Sequence, residues 1–273
     1  MEGLPITSGQ NPKVKALLML QQKSQERRRT GLYVVEGLRE MARLNTGDIQ
    51  SLFYCPAILG SEGMEMLDGM VQEGTECYEV SANVYDKMAY RSGTEGVICI
   101  VRQHPLLLES LSQRPLDGAP LYVVLESVEK PGNLGAILRS ADAAGVDAVI
   151  ICDPLTDLYN PNLIRSSTGA VFSVPCVACT SQECISFLKK QGVKILTAQL
   201  QDSHLYYDTD MTCATAIVMG TEATGLTDQW REAADAHIRI PMLGICDSLN
   251  VSVSAAVLMY EAVRQRKAGE MSE

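Results

Sequence analysis

The sequence predicts an α/β protein in two domains. Six apolar runs in the second half, LYVVLE, DAVIIC, SVPCVAC, VKILTA, AIVMG and HIRI, alternate with helical or loop segments, the pattern of a mostly parallel sheet covered by helices. The stretch HPLLLESLSQRPLDGAP, residues 104 to 120, carries three prolines and a change of composition, which marks a linker. At 273 residues the chain exceeds the usual single domain, and 46% hydrophobic against 21% charged residues suits packed cores rather than disorder. The expected boundaries are 1–106 for a first, smaller domain, 107–118 for the linker and 119–273 for a second domain.

The elements follow in order. NPKVKALLMLQQKSQERRR reads as one amphipathic helix, with Asn11 as N-cap and Pro12 at the first helical position. Strands LYVVE and VICIV come next with helical segments between them, giving a compact α/β module. Beyond the linker each apolar run is a strand. The closing segment CDSLNVSVSAAVLMYEAVRQR, residues 246 to 266, is a helix whose Leu249, Val253, Ala256, Val257, Tyr260 and Val263 recur at helical spacing and predict one buried face. Ser248, Asn250, Ser252 and Ser254 crowd its head; Asp247 or Ser248 as cap accounts for one polar residue there and leaves the others unexplained.

Composition excludes several classes. No stretch approaches the roughly 18 apolar residues of a membrane span, and MEGLPITSGQNPK lacks the apolar core of a signal peptide, so a cytoplasmic protein without a membrane partner is expected. Of nine cysteines, Cys99 and Cys152 sit inside apolar runs, where a free thiol behaves as a small hydrophobe, and reduced thiols are expected. PCVACTSQEC offers Cys176, Cys179 and Cys184 as metal ligands. A structural zinc site wants a fourth ligand at comparable spacing, and His104, His204 and His237 stand far off, so no metal is expected.

The net charge of −10 argues against a surface built to grip nucleic acid nonspecifically. Its distribution is uneven. Residues 1 to 50 carry eight Lys or Arg against five acids, whereas residues 51 to 100 carry two against eight. A basic arm on an acidic body suits a structured polyanion, and a solvated helix face fits the same charges.

Ligands of parallel sheets collect at the carboxyl ends of strands, so three loops carry the candidate chemistry. In VEKPGNLGAILRSADAAG, Gly132 and Gly135 flank Asn133 between strand and helix, as in a phosphate-cradling turn. Asp153, 21 residues beyond Gly132, mimics the ribose-binding acid of a dinucleotide fold; the spacing is Gly-x-x-Gly, however, and lacks the third glycine of that fingerprint. In VMGTEATGLTDQW, Gly220 ends a strand, Glu222 follows, and Gly225 permits a backbone turn. The third loop is IPMLGICDSLNVSVS, where the start of a helix favours an anion.

PGNLGAILRSADAAGV, NPNLIRSSTGAVFSVP at 160 to 175, VMGTEATGL and IPMLGICDSLNVSVSAAVLMYEAVRQR, in that order, closely resemble the SpoU (TrmH-like) branch of the SPOUT methyltransferase superfamily. QNPKVKALLML, GLYVVEG and SGTEGVICIV resemble the substrate-binding domain often attached to these enzymes, so the resemblance covers nearly the whole chain. It implies an S-adenosylmethionine-dependent RNA ribose 2′-O-methyltransferase. It further implies a SPOUT domain closed by a deep trefoil knot, a smaller N-terminal α/β (L30e-like) domain, and an active site at a homodimer interface. Knots are otherwise close to absent from protein chains and are not read from sequence pattern.

By the motif matches, Gly220, Ile240 and Leu249 border the cofactor, and Asn133, Arg139, Glu222, Ser248 and Asn250 occupy the family's active-site positions. Arginine is a poor base because it stays protonated, so Arg139 is expected to clamp a phosphate and acidify the ribose hydroxyl electrostatically. Asn133 and Asn250 suit orienting a ribose or tying loops together, and Ser248 suits capping or positioning Arg139. Glu222 is expected to secure the loops by accepting backbone N–H bonds. Thr221 stands where many relatives have Asn or Ser and retains a hydroxyl. RNA contact is expected through Lys13, Lys15, Arg27, Arg28 and Arg29, with ribosomal RNA the preferred substrate over transfer RNA. The rival readings are a noncatalytic RNA-binding relative and a nicotinamide-dinucleotide oxidoreductase.

Overall fold

The computed structural model describes residues 3–90, 95–221 and 223–270. The chain forms two compact units, one of residues 1–104 with 157–172 and one of residues 105–156 with 173–273. Among the described residues each unit has its own sheet.

The first unit contains β1 (Leu4–Ile6), β2 (Leu32–Glu36), β3 (Ile49–Tyr54), β4 (Glu76–Val80) and β5 (Val97–Arg102) in the order β1-β4-β3-β5-β2. β1, β4 and β3 run parallel, while β5 is antiparallel to both β3 and β2. LYVVE and VICIV are the two strands read from sequence; the segment between them holds β3 and β4 as well as helices. Buried side chains cover both faces of this sheet, Val34, Phe53 and Ile98 on one and Val35, Leu52 and Cys99 on the other. Each such side chain contributes roughly 1.5–3 kcal/mol on burial. The 157–172 excursion joins the second of these cores through Tyr159, Ile164 and Phe172, with the Tyr159 ring centroid 4.6 Å from that of Tyr33.

The basic segment departs from the expected single helix. Asn11 does cap it, accepting from the Lys13 N–H at 2.9 Å, and Pro12 is the first helical residue. Extended backbone at Lys23 then divides it into helices Pro12–Gln22 and Ser24–Thr30. The break leaves carbonyls of the first helix without an intrahelical donor. Arg27 supplies one, its Nη1 donating to Leu20 O at 2.6 Å and to Gln21 O at 3.1 Å.

The second unit contains β6 (Leu121–Glu126), β7 (Ala148–Cys152), β8 (Cys176–Cys179), β9 (Lys194–Ala198), β10 (His204–Leu205), β11 (Thr215–Met219) and β12 (Ala236–Arg239). Every pairing is parallel, in the order β10-β12-β9-β11-β6-β7-β8. All six apolar runs are strands of it. One face packs on helices Ser181–Lys190 and Asp228–Ala233 through Leu188, Phe187 and Trp230. Helices Pro131–Ala144 and Val251–Glu270 lie against each other and against β6, β7 and β11.

The closing helix buries a different stripe from the expected one. Val251, Ala255, Leu258, Met259 and Ala262 are its buried apolar residues, whereas Leu249, Val253 and Tyr260 are 38%, 48% and 49% exposed. The helix is apolar on more than one side, and periodicity cannot say which side the same chain covers.

Candidate active site

The carboxyl ends of β12, β9 and β11, neighbours in the sheet, open onto a cavity of about 420 Å³, within the range of small-ligand sites. Ala198, Met219, Ile238 and Arg239 line it from the strands; Gln199, Leu200, Gly220, Thr221, Gly225, Ile240 and Met242 line it from the following loops. Asp247 to Val251, with Ser254 and Leu258, complete the lining.

The loop after β11 explains its first glycine. Thr221 and Gly225 exchange backbone hydrogen bonds of 3.3 and 3.1 Å, and Thr224 N–H donates to Thr221 Oγ1 at 3.0 Å. Gly225 makes the reversal in the left-handed region at φ 69°. This turn folds so closely over Gly220 that a Cβ there would stand 2.3 Å from the Gly225 carbonyl carbon and oxygen. Thr221 thus builds the turn with the hydroxyl noted in the sequence. Glu222 lies outside the described residues.

Asn250, rather than Asp247 or Ser248, caps the closing helix. Its Oδ1 accepts from the Ser252 N–H at 2.9 Å and the Ser252 hydroxyl at 2.6 Å, and its carbonyl accepts from Val253 and Ser254 N–H at 3.0 Å. Asn250 Nδ2 donates to Asn133 Oδ1 at 3.2 Å, so the heads of two helices meet there. Pro131 is already helical, which places Gly132, Asn133 and Gly135 in the first turns of a helix and not in a separate cradling loop. Ser248 lies at the rim, its hydroxyl donating to Asp247 Oδ1 at 3.3 Å. The crowded polar head therefore divides into a cap, a bridge between helices and a rim.

The structure brings Gly220, Ile240, Leu249, Ser248 and Asn250 together around the cavity, with Asn133 joined through Asn250. Arg139 is exposed on the helix of Asn133 and does not line the cavity. Sequence reasoning missed Gln199. Its Nε2 donates to Gln201 O at 2.9 Å, whereas its buried Oε1 has no partner among the described residues. Such an acceptor is left unfavourable by about 1–3 kcal/mol until a donor reaches it. The available signal was its place directly after a strand of a parallel sheet.

The ends of β6 and β7 are closed. Glu126, 2% exposed at the end of β6, accepts from the Thr227 N–H at 2.9 Å and hydroxyl at 2.6 Å. Ser181 donates its hydroxyl to Asp153 Oδ2 at 2.6 Å and accepts from Trp230 Nε1 at 2.9 Å. Asp153 also takes the Ser181 N–H at 3.2 Å, so this carboxylate serves the sheet edge and not a dinucleotide ribose.

In the first unit Lys13, Lys15, Arg28 and Arg29 are exposed. Lys13 pairs with Glu76 at 2.7 Å, and that hydrogen bond, with a further one to Tyr78, holds its ammonium above the ordinary lysine range. Arg29 pairs with Glu26 at 2.5 Å. Arg27 departs from its expected role as an RNA contact: only 3% exposed, it pairs with Asp157 at 2.6 Å and ties the 157–172 excursion to the broken helix.

Residues 120–260 match the SpoU rRNA Methylase family, and residues 11–99 match the MRM3-like substrate binding domain. The chain belongs to the SpoU rRNA methylase family. Across 257 residues this SpoU chain is 28% identical to the 23S rRNA (guanosine(2553)-2′-O)-methyltransferase RlmP of Bacillus subtilis, covering 93% of the chain and 97% of the relative. It is 34% identical over 214 residues to the 23S rRNA (guanosine-2′-O-)-methyltransferase RlmB of Vibrio vulnificus, covering 76% and 85%. The SpoU methyltransferase AviRb of Streptomyces viridochromogenes, solved in complex with AdoMet, superposes with a TM-score of 0.84 at 28% identity, covering 95% and 100%.

Proposed function

We propose that this SpoU-family chain transfers the methyl group of S-adenosylmethionine to a ribose 2′-hydroxyl of structured RNA, ribosomal RNA before transfer RNA. The observation that carries the reading is the strand-end cavity, in which Gly220, Ile240 and Leu249 converge with Ser248 and Asn250. The lining suits the donor. Leu200, Ile238, Ile240 and Leu258 offer apolar surface for a base, and the orphaned Gln199 Oε1 offers an acceptor to an N–H or O–H of the bound nucleoside. When bound, the cofactor supplies an electrophilic methyl group on a sulfonium.

What the chain contributes is placement. An in-line displacement gains most from holding the reacting atoms aligned. Asn133 and Asn250 fix the helix heads that border the cavity, and the positive ends of the two helix dipoles there favour a phosphate. Arg139, exposed one helical stretch further on, serves as a clamp for the phosphate beside the reacting ribose and lowers the hydroxyl pKa by its fixed charge. Ser248 positions the nucleotide at the rim, and Glu222 secures the loop.

The exposed stripe of Leu249, Val253 and Tyr260, continued by Leu243 at 96% and Ile245 at 106% exposure, supports a homodimer in which a second copy covers these residues. The same reading makes the closing helix the end of a knotted segment. The first unit is the RNA-holding part, through Lys13, Lys15, Arg28 and Arg29. No helix among the described residues is long and apolar enough to cross a membrane.

The test is transfer of a tritiated methyl group from labelled cofactor to ribosomal and transfer RNA in separate arms, with Arg139→Ala alongside. The expected result is methylated ribosomal RNA, and a loss of about 100-fold in the variant at unchanged S-adenosylhomocysteine affinity. RNA binding without transfer by the unaltered protein would instead identify a noncatalytic relative.

A further inference from the structure

Three thiols meet at the β7–β8 edge of the second unit's sheet. Cys152 is the last residue of β7 and Cys179 the last of β8, and the two are register partners. Cys184 reaches them from helix Ser181–Lys190. The three Sγ atoms lie within 4.8 Å of one another. The trio weighed from sequence, Cys176, Cys179 and Cys184, is not the one assembled. Side chains alternate along a strand, so Cys176 and Cys179, three residues apart on β8, point to opposite faces, and Cys152 of the neighbouring strand takes the third place.

We propose that Cys152, Cys179 and Cys184 bind a single thiophilic closed-shell metal ion, Zn(II) or Cu(I), through their three sulfurs. Metal–sulfur bonds of about 2.3 Å set the sulfurs of a trigonal site about 4.0 Å apart, and the observed separations, all within 4.8 Å, are close to that spacing. Thiolates select these ions over oxygen-loving cations. Among the described residues no His, Asp or Glu joins the cluster. Three sulfurs thus define the site, with any fourth position left to solvent or an added ligand.

Access comes from one side. Cys152 and Cys184 are fully buried, while Cys179 is half-buried and lines a second cavity, of about 470 Å³, together with Glu109, Gln182 and Glu183. Each ligating thiol gives its proton to solvent as its sulfur donates an electron pair to the metal; no oxidation state changes. The bound ion would lock β7, β8 and the Ser181–Lys190 helix together beside the Ser181–Asp153 bonds. The methyltransferase reading plays no part in this assignment.

The test uses the full chain with Cys213→Ser and Cys246→Ser, which remove the two exposed thiols that could collect metal nonspecifically. The protein is reduced with a non-thiol reductant and titrated anaerobically, in one arm with Zn(II) against a chromogenic chelator and in the other with Cu(I) against a copper chelator. One equivalent bound in either arm, with a rise in melting temperature, is expected, and the arm that saturates identifies the ion. Cys179→Ser, at a half-exposed position, should weaken binding at least tenfold and abolish the rise in melting temperature. Where that variant does not fold, one equivalent of Cd(II) added to the Cys213→Ser, Cys246→Ser protein should give the sulfur-to-cadmium charge-transfer absorption. No stoichiometric uptake in either arm, uptake unaltered by Cys179→Ser, or no cadmium absorption overturns the assignment.

Discussion

The two halves of the parallel sheet treat their carboxyl ends in opposite ways. At β6 and β7 the polar groups answer one another: Glu126 holds Thr227, and Asp153 and Trp230 share Ser181. At β9, β11 and β12 the ends surround a cavity, and Gln199 keeps a buried acceptor without a donor. Both halves have the same parallel geometry. What separates them is hydrogen-bond completeness, and an incomplete set of partners at strand ends is a more specific sign of a ligand site than the strand ends themselves.

Four substitutions probe that contrast, in falling order of effect. Glu126→Ala empties a buried site in the closed half and removes its two hydrogen bonds from Thr227, and should lower unfolding free energy by about 3 kcal/mol in chemical denaturation; a loss below about 1 kcal/mol would erase the contrast. Gly220→Ala drives a methyl into the Gly225 backbone. The forced rearrangement of the turn should weaken S-adenosylhomocysteine binding by about 2 kcal/mol, roughly 30-fold, and calorimetry showing native affinity would detach the turn from the site. Gln199→Leu replaces the orphaned acceptor and should weaken the same ligand about tenfold with little change in stability. Equal affinity would mean that no ligand donor reaches Oε1. Trp230→Phe deletes one donor to Ser181 and should cost about 1 kcal/mol of stability, while cofactor affinity stays fixed; a shift in affinity would show the two halves to be coupled.

Much of the fold was legible because the second unit's central strands β6, β7 and β11 are buried throughout and read as apolar runs, such as AVIIC over Ala148–Cys152. β3 and β4 escaped notice: Glu76–Val80 sets glutamates at its first and fourth positions, and IQSLFY interrupts its apolar run with Gln50 and Ser51. The break at Lys23 was hidden because no Pro or Gly marks it, and its freed carbonyls are answered by the side chain of Arg27, which reads from sequence as an ordinary exposed helix residue. The same burial removed Arg27 from the basic surface that its neighbours Arg28 and Arg29 form.

At the site, Gly220, Ile240 and Leu249 were found through motif resemblance, and the structure draws them to one cavity. Gln199 belongs to no quoted motif, and only the strand it follows marks it. The cap at Asn250 was misplaced to Asp247 or Ser248 because Asp, Ser and Asn are all good caps, and the choice depends on where the first turn begins. Which stripe of the closing helix is buried depends on what lies beside it, information that helical spacing does not contain.

The amide bridge between Asn133 and Asn250 spans 117 positions of sequence. Its order of assembly follows from synthesis. Residues 247 to 258 supply one whole side of the cavity, and they leave the ribosome after every strand of the sheet has been made. A nascent chain can therefore complete its strands while still unable to grip a small molecule, and donor capture becomes available only once residues 247 to 258 have followed the last strand.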